Sequence, residues 1–300
     1  MADPAQATPS PQPAPYIFYR YNPSLPAAAI FMALFAISTS LHIFQLIRRR
    51  TWYFLPFVIG GIFECGGYAG RIVSSKQTPN WTEGPYIVQS LLLLLAPALF
   101  AASIYMVLGR IILLTDGEEH SLIRAKWLTK VFVLGDVLSF LTQSTGGGIL
   151  ASNNGKGNAS LGQNIITAGL GIQVLFFGFF IVVGGLFHFR LKLLPTTRSL
   201  QEDIPWERYM WALYIASICI LIRSVFRVVE YVMGEGGYLL SHEIFLYIFD
   251  ATLMLFTMAI YNVLHPSTII YKKRHAGATC LESQDSGYAL DNRVPMVAKP

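Results

Sequence analysis

Long apolar stretches separated by short polar connections make up most of this chain. Seven of these stretches reach about the 20 residues that an α-helix needs to cross the hydrocarbon core of a bilayer. Charged residues interrupt the second, fourth and sixth. The stretches cover residues 25–47, 52–73, 86–109, 128–150, 165–188, 209–232 and 243–264. The pattern predicts an all-α polytopic membrane protein with seven transmembrane helices.

The composition supports a membrane protein. Charged residues make up 13% of the 300 residues, against about 25% in a soluble domain. The net charge of +5 rests on too few charges for a nucleic-acid-binding surface, and three cysteines are too few for a disulfide-stapled domain. We expect a transmembrane domain over 25–264, between an extracellular disordered N-terminal tail (1–24) and a cytosolic disordered C-terminal tail (265–300).

Lysine and arginine are distributed unevenly between the two sides of the predicted bundle. Fifteen lie in the first, third and fifth connections and the C-terminal tail, and three (Arg20, Lys76 and Lys156) lie on the opposite side. The excess of basic residues marks the cytosolic side, which predicts an N-terminus outside and a cytosolic C-terminus. The glycosylation sequons at Asn80 and Asn158 both fall on connections predicted to be outside.

Several charged residues fall inside the predicted spans, where each costs at least about 2.5–3.5 kcal/mol in the hydrocarbon core. Helical spacing places Glu64, Tyr68 and Arg71 on one face, and it does the same for Arg223, Arg227 and Glu230. We expect these groups to pair inside the bundle and to line a polar cavity that opens outward or lies near the midplane. The alternative is a set of buried ion pairs that only fixes helix register. The candidate substrate-binding residues are Glu64, Tyr68, Arg71, Gln89, Asp136, Gln143, Arg223, Arg227, Glu230, Glu243 and Asp250.

The third and seventh stretches resemble each other. Residues 100–108 and 256–264 match at five of nine positions, and the same offset carries Arg71 onto Arg227. This predicts two parallel three-helix repeats joined by a central fourth helix, an arrangement found in transporters. Pro97 in the third stretch is expected to kink its helix or to free a carbonyl group.

The chain lacks the motifs of several enzyme and receptor classes. Its six histidines show no metal-ligand spacing, and no phosphate-binding loop is present. We therefore predict a protein that is not an enzyme and that needs no cofactor or metal. A zinc hydrolase built from His42, Asp136, His242 and Asp250 is a distant alternative. A seven-span sensor that binds an amphiphile is a closer one.

Seven segments together resemble the fungal lipid-translocating exporter family, which is named for resistance to an aminosterol. They are residues 21–24 (YNPS), 64–71 (ECGGYAGR), 89–110, 136–148, 169–173 (GLGIQ), 223–230 (RSVFRVVE) and 243–250. The resemblance implies a multi-span protein of the plasma membrane without an ATPase domain. It further implies a role in the release or flipping of sphingoid long-chain bases, in resistance to toxic amphiphiles, or in porphyrin traffic.

The residues and the resemblance together predict a translocator or exporter of amphiphilic lipids. The amine of a sphingoid base would bind Glu64, Asp136 or Asp250, and its hydroxyl groups would meet Tyr68, Gln89 or Gln143. An anionic head group would instead bind Arg71, Arg223 or Arg227. Membrane lipids and amphiphilic small molecules are the expected partners. A porphyrin transporter and a receptor for an amphiphile remain as alternatives.

Overall fold

The computed structural model describes residues 21–78, 81–152, 159–200, 205–233 and 237–267. Seven long helices dominate it, each coinciding with one predicted stretch to within three residues or extending beyond it, and no β-strand occurs among the described residues. The helices are α1 (Leu25–Arg49), α2 (Leu55–Lys76), α3 (Glu83–Leu114), α4 (Ala125–Ser152), α5 (Ala159–Leu193), α6 (Trp206–Val232) and α7 (Glu243–Val263). The predicted all-α architecture of seven helices is confirmed.

Five of the helices (α1, α3, α5, α6 and α7) are long and apolar enough to cross a membrane. Charged residues interrupt the other two: Glu64 and Arg71 in α2, and Lys130 and Asp136 in α4. Large apolar side chains project outward along the bundle; Leu175, for example, is 73% exposed. An apolar outer surface suits contact with lipid. The seven-span topology, its orientation and the internal repeat stay predictions.

The helices pack in chain order and then close on themselves. Each helix contacts the next, α1 also packs against α7, and α3 also packs against α6. Helices α1 and α7 run parallel, since His42 Nε2 lies 3.1 Å from the Met258 carbonyl oxygen and Gln45 Nε2 donates to the Asn262 carbonyl at 3.0 Å. The end of the bundle where α1 begins is called the Ser24 end, and the end where α1 stops is called the Arg49 end.

Helix α7 contains a wide turn. After one regular turn from Glu243, residues Tyr247–Thr252 adopt a π-helix, and the helix is regular again from Leu253. The Thr252 hydroxyl donates to the carbonyl of Tyr247 at 2.8 Å and so satisfies an acceptor inside this turn. π-turns recur at functional sites, and this one contains Asp250, a residue predicted to bind substrate.

Helices α4 and α5 approach closely at a pair of glycines. A Cβ atom added at Gly146 would lie 2.7 Å from the carbonyl oxygen of Gly162, whereas one added at Gly147 would meet no atom within 4 Å. The Gly146 contact is with backbone, so a rotamer change cannot relieve it.

Gly146→Ala is therefore expected to lower the free energy of unfolding by about 1–3 kcal/mol, the usual cost of overpacking. Gly147→Ala serves as the matched control, because it adds the same methyl group without the contact and gains the helix propensity of alanine. Reversible unfolding in detergent micelles measures both. Equal stability of the two variants would show that the helices are not in contact at Gly146.

Candidate functional site: a buried ion-pair network between α2, α6 and α7

The charged residues of three helices form an ion-pair network inside the bundle. The prediction that these groups pair inside the bundle is confirmed for most of them. The network, as the term is used below, consists of Glu64 and Arg71 from α2, Arg223, Arg227 and Glu230 from α6, and Glu243 and Asp250 from α7.

Asp250 is the centre of the network. One carboxylate oxygen accepts a hydrogen bond from Nε of Arg223, and the other accepts from Nη2 of Arg227 at 2.8 Å. Arg227 also donates from Nη1 to Glu230 at 2.8 Å. The side chains of Arg223 and Asp250 are 1% and 2% exposed. Both guanidinium groups are therefore neutralised within the bundle, as a low-dielectric interior requires.

Pro97 supplies a further acceptor for the network. A proline has no N–H group, so it leaves the carbonyl four residues earlier in its helix without the usual donor. That carbonyl belongs to Leu93, and it accepts a hydrogen bond of 2.6 Å from Nη2 of Arg223. The prediction that Pro97 frees a carbonyl is thus confirmed, and the freed group ties α3 to α6.

A second ion pair lies nearer the Ser24 end. Arg71 donates from Nη2 to Glu243 at 2.7 Å and to the hydroxyl of Tyr21 at 2.8 Å, and it donates from Nε to the hydroxyl of Tyr247 at 3.2 Å. The backbone N–H of Ser24 lies 3.0 and 2.9 Å from the two Glu243 oxygens. These contacts fasten the residues before α1 onto the start of α7 and the end of α2.

Glu64 occupies the same region without a direct partner. Its side chain is buried, lies within electrostatic range of Asp250, Arg223 and Arg227, and has no hydrogen-bond partner for Oε1 in the described part of the chain. Glu64 and Arg71 share a helical face, but Arg71 pairs with Glu243 across the bundle.

Tyr68 is the neighbour of Glu64 one turn along α2. Its ring stacks on Phe35 at 5.4 Å and on Tyr247 at 6.2 Å, measured between centroids. Its hydroxyl, like Oε1 of Glu64, is buried and has no partner among the described residues. The two side chains therefore offer a hydroxyl and a carboxyl oxygen inside the bundle.

The other predicted residues lie on different helices. Asp136 and Gln143 of α4 face α3 and α5, where Asp136 accepts from the hydroxyl of Tyr105 at 3.0 Å and Gln143 donates to Gln173 at 3.3 Å. Gln89 is buried on α3 beside Gly70 of α2. The structure thus places Asp136 and Gln143 in a smaller α3–α4–α5 group apart from the network, whereas Tyr68 lies on α2 and Gln89 lies beside α2. Their role in substrate binding stays a prediction.

Some contributors were not among the predicted residues. Tyr21 and Tyr247 accept hydrogen bonds from Arg71, and the carbonyl of Leu93 accepts one from Arg223. Pro97 was the signal for the Leu93 carbonyl, and Tyr21 and Tyr247 lie in two of the segments (21–24 and 243–250) that carry the family resemblance. The predicted sequons at Asn80 and Asn158 lie outside the described residues. No cluster of potential metal ligands occurs in the ranges that the structure describes.

The Arg49 end is fastened by a different set of contacts. Arg49 donates to the Ser267 hydroxyl at 2.6 Å, Tyr53 donates to the carbonyl of Pro266 at 2.9 Å, and the guanidinium of Arg110 lies 3.7 Å from the centroid of the Tyr53 ring. Burial and, to a smaller degree, the positive charge of Arg49 lower the pKa of His265 from 6.5 to about 4. His265 is therefore neutral at physiological pH, so the arginines are the charged groups among these contacts.

Comparison with known proteins places this architecture in a family. Residues 57–273 match the family model described as RTA1 like protein. Protoporphyrin uptake protein 1 of Saccharomyces cerevisiae is 37% identical over 83% of this chain and 91% of its own length, and Protein RTA1 of the same yeast is 37% identical over 85% and 86%. Sphingoid long-chain base transporter RSB1 of S. cerevisiae strain Lalvin EC1118 is 26% identical over 81% and 72%.

The family model covers most of the described bundle, including every residue of the network. No solved structure matches the chain. The family model matches most of the chain, and two relatives are 37% identical along most of both chains. This chain therefore belongs to the RTA1-like family.

Proposed function

We propose that this protein translocates amphiphilic lipids with a cationic head group, of which sphingoid long-chain bases are the model, across the plasma membrane. The name of one relative, a sphingoid long-chain base transporter, supports the substrate class. The apolar helices and the buried polar network support the mechanism. The head group would bind at the network while the hydrocarbon tail stays in lipid or between helices.

The charge count of the network carries the proposal. It holds three arginines and four acidic side chains, so the acidic groups exceed the basic ones by one. Glu230, Glu243 and Asp250 each bind an arginine directly, which leaves Glu64 as the acid without one. A protonated amine is the group that matches a buried carboxyl of this kind. The hydroxyl of Tyr68 is placed to meet a hydroxyl group next to that amine.

The exposure of charged side chains at the Ser24 end supports entry of the head group into the network from that end. The side chains of Glu243 and Arg227 are each 16% exposed, whereas Arg223 and Asp250, deeper in the bundle, are almost fully buried. The Arg49 end is held by the contacts of Arg49, Tyr53 and Arg110. With the orientation that the basic residues predict, the network would exchange head groups with the outer leaflet.

Glu64→Gln tests the proposal, because it removes the charge of the carboxyl and keeps its shape. In liposomes of defined composition, the flux of a labelled sphingoid base is expected to fall about tenfold or more, since a hydrogen bond to a charged group contributes about 1.5–3 kcal/mol. Glu207→Gln is the matched control, because Glu207 is an exposed residue at the Arg49 end. An N-acylated, uncharged analogue should be moved slowly by the wild type and equally slowly by Glu64→Gln.

Two outcomes would reject parts of the proposal. Unchanged flux of the base in Glu64→Gln, at equal protein density, would show that Glu64 does not recognise the amine. Saturable binding of the base by the wild type without any flux would favour a seven-span sensor over a translocator.

A porphyrin is the second candidate substrate, because a relative that is 37% identical is named a protoporphyrin uptake protein. Its propionate groups are anionic, so they would bind the partly exposed Arg227 rather than Glu64. The same liposomes distinguish the candidates. Porphyrin flux should be unchanged in Glu64→Gln and lower in Arg227→Gln. The flux of a sphingoid base should instead be lower in Glu64→Gln.

A further inference from the structure

Asp136 differs from every acid of the network in its surroundings, and we infer that it is a proton-binding site that couples lipid movement to a proton gradient. The inference rests on the proposed function and adds its source of energy. Asp136 is 5% exposed, and its hydrogen bond is to the hydroxyl of Tyr105, at 3.0 Å. Each acid of the network binds an arginine or lies near one, whereas Asp136 accepts its hydrogen bond from the phenol hydroxyl of Tyr105.

The helices around Asp136 bring no positive charge to it. On α3, Arg110 lies against Tyr53 and Glu83 is at the far end of the helix. On α4 itself, Lys126 and Lys130 lie in the first turns, and Lys130 packs over Trp127. On α5 the titratable residues lie in the last six positions, with His188 bonded to Tyr214. Tyr105 is therefore the titratable side chain that faces Asp136 in the described part of the chain.

An aromatic shell surrounds this pair. The ring of Tyr105 lies 5.3 Å from Phe132, 6.0 Å from Phe177 and 4.5 Å from Phe180, measured between centroids. An ionised carboxylate in such a place costs several kcal/mol unless a cation compensates it. The neutral acid avoids most of that cost, so Asp136 holds a proton while the shell is closed. It releases the proton when water reaches it.

Polar groups continue from Asp136 toward the Ser24 end. Ser139 and Gln143 follow on the same face of α4, and Gln143 lies about 10 Å further along the axis at a rise of 1.5 Å per residue. The Oδ1 atom of Asp136 and the Oε1 atom of Gln143 are both buried and have no partner among the described residues. The Ser139 hydroxyl between them donates to the Gly135 carbonyl. Both free acceptors therefore lie on the side of Tyr105 from which a proton would come if it entered from the Ser24 end. Binding forms an O–H bond on the carboxylate, and release breaks it, without a redox step.

Asp250 shows the opposite arrangement and serves as the internal contrast. Two guanidinium groups donate to its carboxylate, which stabilises the ionised form. The two aspartates therefore have different roles. Asp250 stays charged and binds the arginines of the network, whereas Asp136 changes its charge.

Liposomes with a pH gradient test the coupling. The wild type is expected to accumulate a labelled sphingoid base against its gradient when a proton gradient is imposed. Asp136→Asn is expected to abolish this accumulation. Asp116→Asn is the matched control, because Asp116 is an exposed residue paired with Arg198 and asparagine tolerates its left-handed backbone.

Infrared spectroscopy supplies a readout that does not depend on transport. The wild type should show the carbonyl stretch of a protonated carboxylic acid at neutral pH. The difference spectrum between the wild type and Asp136→Asn should contain one such band, and the difference spectrum between the wild type and Asp116→Asn should lack it. The absence of that band from the wild type would overturn the inference, as would gradient-driven accumulation by Asp136→Asn. Absence of flux with the signal present would instead count against the proposed function. If Asp136→Asn fails to fold, Asp136→Glu must shift the pH dependence of accumulation, and an unchanged profile would contradict the assignment.

Discussion

Asp250→Ala is expected to lower the free energy of unfolding by about 3–5 kcal/mol or more, the cost of removing one partner of a buried ion pair. Asp250 accepts hydrogen bonds from both Arg223 and Arg227, so its removal leaves two guanidinium groups short of a partner. Arg223 suffers most, because its remaining contact is the neutral carbonyl of Leu93. Reversible unfolding in detergent micelles provides the measurement.

The control and the rescue use the same assay. Glu207→Ala breaks an exposed ion pair with Lys192 and should cost less than about 1 kcal/mol. Asp250→Leu combined with Arg223→Met replaces the buried pair by apolar side chains, and Arg227 keeps its bond to Glu230. Because such replacements are often neutral, this double variant should recover most of the loss. A cost below about 1 kcal/mol for Asp250→Ala would contradict the burial of the network.

Arg71→Ala is expected to produce the second large loss, about 3 kcal/mol. The substitution removes the fully buried guanidinium of Arg71 together with its hydrogen bonds to Glu243, Tyr21 and Tyr247. The cost falls at the lower end of the range for a buried pair, because Glu243 is partly exposed and keeps the N–H group of Ser24.

A double-mutant cycle with Glu243→Gln isolates the pair itself. Residues in direct contact couple by about 0.5–3 kcal/mol, and a charged pair of this kind should lie in the upper half of that range. Arg71→Lys should fall between the wild type and Arg71→Ala, since lysine keeps the charge but cannot match the planar fork of donors. A coupling energy near zero would mean that the Arg71–Glu243 contact does not stabilise the fold.

The helices could be predicted from the sequence, because a membrane helix needs about 20 mostly apolar residues and seven such stretches are present, three of them with interrupting charges. The inward placement of the charges was also readable, since lipid does not accept them. Their partners were not. Helical periodicity placed Glu64 and Arg71 on one face of α2, but it gave no information on which side chain of α7 lies opposite that face.

The division of the candidates into two groups could not be predicted either, because the sequence does not show which helices pack around each residue. Asp136 and Asp250 look alike in the sequence, because each is an aspartate inside a mostly apolar stretch. The helices packed around them differ: α6 brings two arginines to Asp250, and α3 brings Tyr105 to Asp136. Pro97 was the exception, because the missing N–H group of a proline inside a helix fixes, by sequence position, which carbonyl lacks its donor.

The wide turn of α7 determines which change of length this helix can absorb. A π-turn holds one more residue per turn than an α-helix, because its hydrogen bonds join residues five apart. Deleting one residue between Tyr247 and Thr252 would therefore let the segment become regular α-helix and leave the two halves of α7 in nearly the same rotation. A deletion between Leu253 and Met258 would instead turn the two halves by about 100° relative to each other, and Glu243 would leave Arg71 while Gln45 still held the far half of α7 to α1.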